Sequence, residues 1–422
     1  MGRNLRRLLL LLLRVVLWLG LGIASVFGGR NVKVAWSTDQ GGPAHNPKGT
    51  CASMIQTRGY DCQEHTVTTK DGYILSMQRI PKGRNVASGT GTGTGGGSGR
   101  PVLLQHGLIM DGVTWLLNSP DQSFAFILAD NGYDVWIANS RGTKWSSGHT
   151  SLGSSDDPAF WDWSWDELAA YDLPAFVEYV QEQTGQNMYY VGHSLGTLMA
   201  LASLSQRKLV NMLRAAALLS PIAYLGQMPS PLATAAAKTY AAETLYKLGV
   251  VEFDPNGEPV GKMIKGLCND HGINCYDLMS SFTGPNCCLN SSTINLFLEY
   301  EPQPTATKNM VHLAQMIRKG TISMYDYGSD DGNMQNYGQV DPPVYNMRNI
   351  PNDFPLFLSY GGKDAVSDVN DVQSLLESLK AHDSDKLTVE YRDDYAHADF
   401  VMGVNANQFI YEPMMAFFKL QS

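Results

Sequence analysis

A serine between two glycines, Gly192-His193-Ser194-Leu195-Gly196, follows the apolar run Met188 to Val191 and precedes the helix-forming residues Leu195 to Leu204. Strand, sharp turn and helix in that order expose a serine hydroxyl at the end of a sheet. Gly192 and Gly196 spare the turn a Cβ that would crowd neighbouring backbone. Such a hydroxyl is a poor nucleophile near neutral pH, so Ser194 needs a general base, and the base needs an orienting carboxylate. Two later segments supply them, acid before histidine. Pro355 to Tyr360 reads as a short buried strand with Asp364 in the loop just past it, and Leu387 to Tyr391 as a further strand followed by the loop that carries His397. Upstream, Val102 to Gln105 is an apolar strand entering His106-Gly107-Leu108. There the backbone N–H of Leu108 would join that of Leu195, the residue after the nucleophile, in stabilising an oxyanion. The chemistry these residues could do together is acyl transfer.

The elements that must position them form a recognisable rhythm. Glu64 to Ile80 reads as a hairpin turning at Asp71-Gly72, Asp134 to Asn139 and Ala215 to Ser220 as buried strands, and Ser164-Trp165-Asp166-Glu167 as a capping box opening a helix that Pro174 must kink or divide. Strands alternating with helices predict an α/β fold with a mostly parallel sheet covered on both faces. Between Pro221 and about Tyr345 helical segments take over, among them Leu232 to Leu248 and Asn309 to Lys319. Inserted before the acid-bearing strand, this stretch would sit over the serine as a helical cap. Asp368, four residues past Asp364, is explained as a first-turn acid of the helical stretch Asp368 to Leu379, capped by Ser367.

The chain has 422 residues, 44% of them hydrophobic and 17% charged, enough for a sizeable core. Arg3, Arg6 and Arg7 precede an apolar stretch from Leu8 to Phe27, and small residues around Ala24 to Gly28 suit signal peptidase, so residues 1–28 read as a cleaved signal peptide. Its removal takes away four arginines and no acids, moving the formal charge from -9 to about -13, which argues against a nucleic-acid partner. Six cysteines suit an oxidising compartment. Cys51 and Cys62 form a close pair, while Cys268, Cys275, Cys287 and Cys288 cluster and are expected to staple the inserted segment. Adjacent cysteines without Cys-x-x-Cys spacing argue against a metal, and no cofactor is expected. Asn290-Ser291-Ser292 is a glycosylation sequon. Ala87 to Gly99 reads as a flexible glycine-rich loop. Trp161, Trp163 and Trp165 read as packing under the helix, and His65, His149, His271, His312 and His382 as surface or packing residues. His106 and His193 shape the site without titrating in it.

The runs His106-Gly107-Leu108, Asn131-Gly132-Tyr133-Asp134-Val135-Trp136 to Asn139-Ser140-Arg141-Gly142, Phe160-Trp161 with Tyr171-Asp172-Leu173-Pro174-Ala175, Gly192 to Gly196, Gly361-Gly362-Lys363-Asp364 and His397-Ala398-Asp399-Phe400 resemble the acid lipase family. That family includes gastric and lysosomal acid lipases and their plant relatives, and Cys287-Cys288 with the opening Cys51 to Cys62 looks like the plant branch. The resemblance covers roughly Gly59 to the C-terminus and is weakest between about Pro229 and Glu301. It implies an α/β-hydrolase fold, a triad of Ser194, Asp364 and His397, oxyanion donors at Leu108 and Leu195, and a lid over roughly Asp254 to Leu289. Leu195 departs from the glutamine of some animal members, but the donor there is backbone. The organisation expected is a signal peptide at 1–28, core at 29–220, helical cap or lid at 221–345, and core again at 346–422. The expected function is hydrolysis of neutral-lipid esters, triacylglycerol foremost, at a lipid–water interface by a secreted, vacuolar or lysosomal enzyme. No obligate protein partner is inferred. The rival readings are a steryl-ester hydrolase, a small-ester carboxylesterase and a non-catalytic binding protein of the same fold.

Overall fold

Leu103, Val135, Val191, Leu218 and Leu358 each sit within an unbroken apolar run, and such runs are stable as strands only where both faces of a sheet are covered. In the computed structural model, which describes residues 49–84, 99–255, 279–280 and 282–421, these runs are the centre of one sheet. Its strands are β1 (Gln63–Thr68), β2 (Tyr73–Ile80), β3 (Pro101–Gln105), β4 (Asp134–Ala138), β5 (Met188–His193), β6 (Leu213–Leu219), β7 (Leu356–Gly361) and β8 (Leu387–Arg392). Their order is β1-β2-β4-β3-β5-β6-β7-β8, with a two-residue strand, Gly148–His149, beside β2. The pairs β1/β2 and β2/β4 are antiparallel. From β4 across to β8 every pair is parallel.

Alternate residues of these strands enter two separate cores. Leu103, Tyr190, Leu218 and Leu358 face one way, toward α2 (Leu173–Thr184) and α3 (Leu195–Ser205), where Phe176, Leu198 and Leu201 meet them. Leu104, Val191, Ala217 and Phe357 face the other, toward α1 (Phe124–Asp130) and the C-terminal helix Glu412–Leu420 with Phe417 and Phe418. Each such large side chain taken out of water contributes about 1.5–3 kcal/mol. The architecture is the expected α/β-hydrolase fold. Trp161, Trp163 and Trp165 are buried in the first core, which is the packing role expected of them. The Ser164 capping box is present, and the helix it opens passes through a π-helical turn, Leu168–Asp172, before α2 begins with Pro174 in its first turn.

Between β6 and β7 the chain forms α4 (Pro231–Lys238), α5 (Ala241–Lys247), α6 (Ser291–Tyr300), α7 (Thr307–Lys319) and α8 (Asp330–Tyr337). The single helix expected over Leu232 to Leu248 is two. Tyr240 takes a left-handed backbone (φ +55°), which lets α4 and α5 each pack on α7, and Arg318 of α7 fills the break. Its guanidinium lies 4.2 Å from the Tyr240 ring centroid, donates to the Ala237 carbonyl at 2.7 Å and pairs with Glu243. A second correction concerns α9 (Val369–Ser378). Its cap is Asp368 itself, whose Oδ1 accepts from the Asn370 and Asp371 amides, because the Ser367 hydroxyl donates to the Pro221 carbonyl at 2.8 Å instead. The segment 1–28, the Gly-rich loop as far as residue 98, His271, Cys268, Cys275 and most of the expected lid lie outside the described residues. Among the described residues no helix is long and apolar enough to cross a membrane.

Candidate active site

β5 ends at His193 and α3 begins at Leu195, so Ser194 occupies the turn alone, at φ +53° and ψ -117°. A non-glycine residue holds such a backbone only where its surroundings over-determine it. The flanking glycines do so by close approach. A Cβ on Gly192 would lie 2.8 Å from the Gly196 carbonyl, and one on Gly196 would lie 2.7 Å from the Gln105 carbonyl at the end of β3. The same tightness brings in the loop after β3, since a Cβ on Gly107 would meet the Ser194 Cβ at 3.0 Å. Among the described residues neither the Leu108 nor the Leu195 N–H finds a protein acceptor. Leu195 opens an eleven-residue helix, where unpaired amides and the helix dipole favour negative charge.

Asp364 and His397 lie in the loops that follow β7 and β8. The buried Asp364 carboxylate lies 2.9 and 3.0 Å from His397 Nδ1. A carboxylate only accepts, so Nδ1 carries the proton and Nε2 is left with a free lone pair. Asp364 Oδ1 is held in turn by the Val366 and Ser367 amides, each at 2.8 Å. Ser194 Oγ makes no hydrogen bond to the imidazole among the described contacts, a looseness common before substrate tightens such sites. Asp368 takes no part in this cluster and serves its helix.

His193 and His106 pack beside these residues, where burial disfavours the charged form of both rings. His193 Nε2 donates to the His397 carbonyl at 3.0 Å, its ring is 4.8 Å from that of His397, and burial holds it well below the usual imidazole value. His106 is pushed down to about 4 by burial. Its Nδ1 donates to the Gly107 carbonyl at 2.8 Å and its Nε2 accepts the Ser140 amide at 3.0 Å.

Two further groups fasten the loop that carries His397, one of them to the Asp364 loop as well, and their residue types gave no sign of it. The Thr283 carbonyl accepts from the His397 amide at 3.0 Å and from the Ala365 amide at 3.3 Å, bridging the loops that carry His397 and Asp364. Next to it Gly284 (φ +94°) approaches so closely that a Cβ would sit 2.0 Å from the Lys363 carbonyl. The fully buried Asp399 accepts from the amides of Ala396, Cys287 and Cys288 at 2.8, 3.1 and 3.0 Å. Cys51 is bonded to Cys62, and Cys287 to its neighbour Cys288. A bond between neighbours cannot tie distant parts of an inserted segment, so this half of the expected staple stiffens one turn beside Asp399 instead. Asn290, the sequon residue, is exposed and caps α6 by accepting the Ser292 amide at 2.9 Å.

Residues 51–119 match the model of the partial alpha/beta-hydrolase lipase region, and residues 100–249 that of the alpha/beta hydrolase fold. The chain is 52% identical over 374 residues to Triacylglycerol lipase 2 of Arabidopsis thaliana, covering 89% of this chain and 88% of that protein. It is 43% identical to Triacylglycerol lipase 1 of the same plant, over 87% and 90% of the two chains. With Gastric triacylglycerol lipase of Rattus norvegicus the identity is 34%, over 95% and 99%. Among solved structures, a soluble variant of the monoglyceride lipase of Saccharomyces cerevisiae matches with a TM-score of 0.51 at 17% identity, over 87% of this chain and 97% of that one.

Proposed function

Since the chain belongs to the acid lipase family, on the branch of the plant triacylglycerol lipases, and is an ester hydrolase, we propose that it hydrolyses neutral-lipid esters, triacylglycerol foremost, with Ser194 as nucleophile, His397 as general base and Asp364 as its orienting carboxylate. The observation that carries this reading is the His397–Asp364 contact set beside a serine on a strained strand-to-helix turn. As Ser194 Oγ attacks the ester carbonyl, His397 Nε2 takes its proton and the imidazolium rests against Asp364. The carbonyl electrons move onto oxygen, which the Leu108 and Leu195 N–H groups stabilise. Collapse expels the glyceride alkoxide, protonated by Nε2, and leaves Ser194 acylated. Water, deprotonated by the same imidazole, then releases the fatty acid and restores the serine.

The helices between β6 and β7, at 221–345, serve in this reading as the cap, the lid expected over roughly Asp254 to Leu289 belongs to it, and the lipid–water interface supplies the substrate. Secretion, with loss of residues 1–28, delivery to the extracellular space, vacuole or lysosome and glycosylation at Asn290, is part of the same proposal. The Cys51–Cys62 bond supports it, because such bonds persist in oxidising compartments. The test is a hydrolysis screen of the purified mature protein on emulsified triacylglycerol, steryl esters and soluble esters of varied chain length, with Ser194→Ala as control. Turnover confined to soluble short esters would replace the lipase reading with a carboxylesterase, and preference for steryl esters would reassign the substrate.

A further inference from the structure

The loop that carries Leu108 is fastened from behind by the segment following α6, and two acids make the fastening. Ile109, directly after Leu108, is a β-branched residue at φ +51°, a state that has to be imposed by its neighbours. The Ile109 carbonyl accepts from the Gln303 amide at 2.8 Å, and the Asp111 amide donates to Glu301 Oε1 at 2.9 Å. Both ends of the strained turn are therefore tied to residues 301–303. Gln303 is anchored in turn, its Oε1 accepting the Lys144 amide at 2.9 Å and its Nε2 donating to the Tyr300 carbonyl at 2.7 Å.

Asp111 and Glu301 are both buried, and their side chains lie within hydrogen-bond reach of each other. Asp111 Oδ1 accepts from the Val113 amide at 2.7 Å, while the buried Glu301 Oε2 meets no donor among the described residues. Two ionised carboxylates in such a place repel. One shared proton turns the repulsion into an O–H···O bond and gives the orphaned oxygen its partner. Burial, the largest influence, holds both groups above the usual carboxylate range, and Asp111 adds to it at Glu301. Lys144, from the loop after β4, is the charge that faces the pair and pulls Asp111 down, and on the other side the neutral Gln303 lowers Glu301.

We propose that Asp111 and Glu301, joined by one shared proton, are positioning residues that hold the Leu108 amide in its oxyanion-binding pose, and that loss of the proton as pH rises releases the loop and lowers kcat. The inference rests on Leu108 being an oxyanion donor, as read above. Groups raised in this way stabilise the loop fully below the ordinary carboxylate range, and that stabilisation is lost as pH climbs through their raised values.

The experiment measures kcat and KM of the full-length enzyme across the acid-to-alkaline range, on a soluble p-nitrophenyl ester, for the wild type, Glu301→Ala, Glu301→Gln, Asp111→Asn and Ser194→Ala. In the wild type kcat should fall along the alkaline limb while KM holds. Glu301→Ala should lose about a hundred-fold in kcat at every pH, the scale of a misplaced catalytic group. Glu301→Gln should recover most of that loss, since its carbonyl still accepts the Asp111 amide and its NH2 replaces the shared proton with a fixed donor. Its alkaline limb should move upward by about one pH unit or more. Asp111→Asn should move the limb the same way, an independent reading should Glu301→Gln fold poorly. Alkaline limbs identical to the wild type in both amide variants would overturn the proposal, as would failure of both to fold in acid, which would make the pair a requirement of folding. Activity surviving in Ser194→Ala would instead overturn the triad reading on which the inference stands.

Discussion

Ser194 spends backbone strain to stand clear of the sheet, so its replacement should remove chemistry and leave the fold. Ser194→Ala is expected to lower kcat about a million-fold, because nucleophile and base act as one unit, and a fluorophosphonate should label the wild type at Ser194 alone. Asp364→Asn should cost about four orders of magnitude by favouring the wrong histidine tautomer, while Asp368→Asn, which touches only a helix cap, should cost at most about 1 kcal/mol of stability. Kinetics on the two asparagine variants separate the cases, and a dead Asp368 variant would reassign the acid. The placement of Ser194, Asp364 and His397 was legible because each sits at a strand end that an apolar run announces. Thr283 was not, since its part is played by a main-chain carbonyl that any residue would carry. Asp399 escaped because three amides converge on it only after two distant loops have met.

Elements were legible where one pattern governs them, and less so where packing chooses between two. The inner strands of the sheet could be read to within a residue or two because burial on both faces leaves them little polar alternation. Over residues 232–248 alanine and leucine favour one long helix, yet two short ones satisfy α7 and Arg318 better. At α9 both Ser367 and Asp368 are good caps, and the Pro221 carbonyl decided by claiming the serine. The turn at Thr283 and Gly284 carries its own prediction. Gly284→Ala would drive a Cβ into the Lys363 carbonyl at a positive φ, so it should cost about 1–3 kcal/mol and also depress kcat, because the Asp364 and His397 loops share the adjoining carbonyl. Thermal unfolding and kinetics on the same preparation check both parts. The Cys51–Cys62 bond makes the contrasting case. It closes a short loop far along the chain from the triad, so the double serine variant should lose about 2–4 kcal/mol with kcat unchanged, as read by denaturant unfolding and turnover.

Across the whole molecule, buried acids and buried imidazoles pull stability in opposite directions. Burial pushes Asp166 up to about 6, so its contribution is complete below the ordinary carboxylate range and lost as pH rises through about 6. Burial pushes His106 and His312 down to about 4 and about 3, so theirs is complete above the free imidazole value and lost as pH falls toward those figures. The two slopes oppose one another in mild acid, and Tm should change little there. Asp166→Asn removes the first slope, so the variant's Tm relative to the wild type should rise with pH across that range. Parallel curves in calorimetry would show that Asp166 titrates normally. The sheet topology reaches further, into the making of the protein. From β5 outward the strands β6, β7 and β8 add at one edge in the order a ribosome delivers them. Ser194 is thus in place while the chain is still growing, Asp364 follows with β7, and His397 comes only after the final strand. A nascent chain stopped before Leu387 holds Ser194 on its turn but has no His397 beside Asp364, so in the proposed triad it stays inactive until synthesis is nearly done.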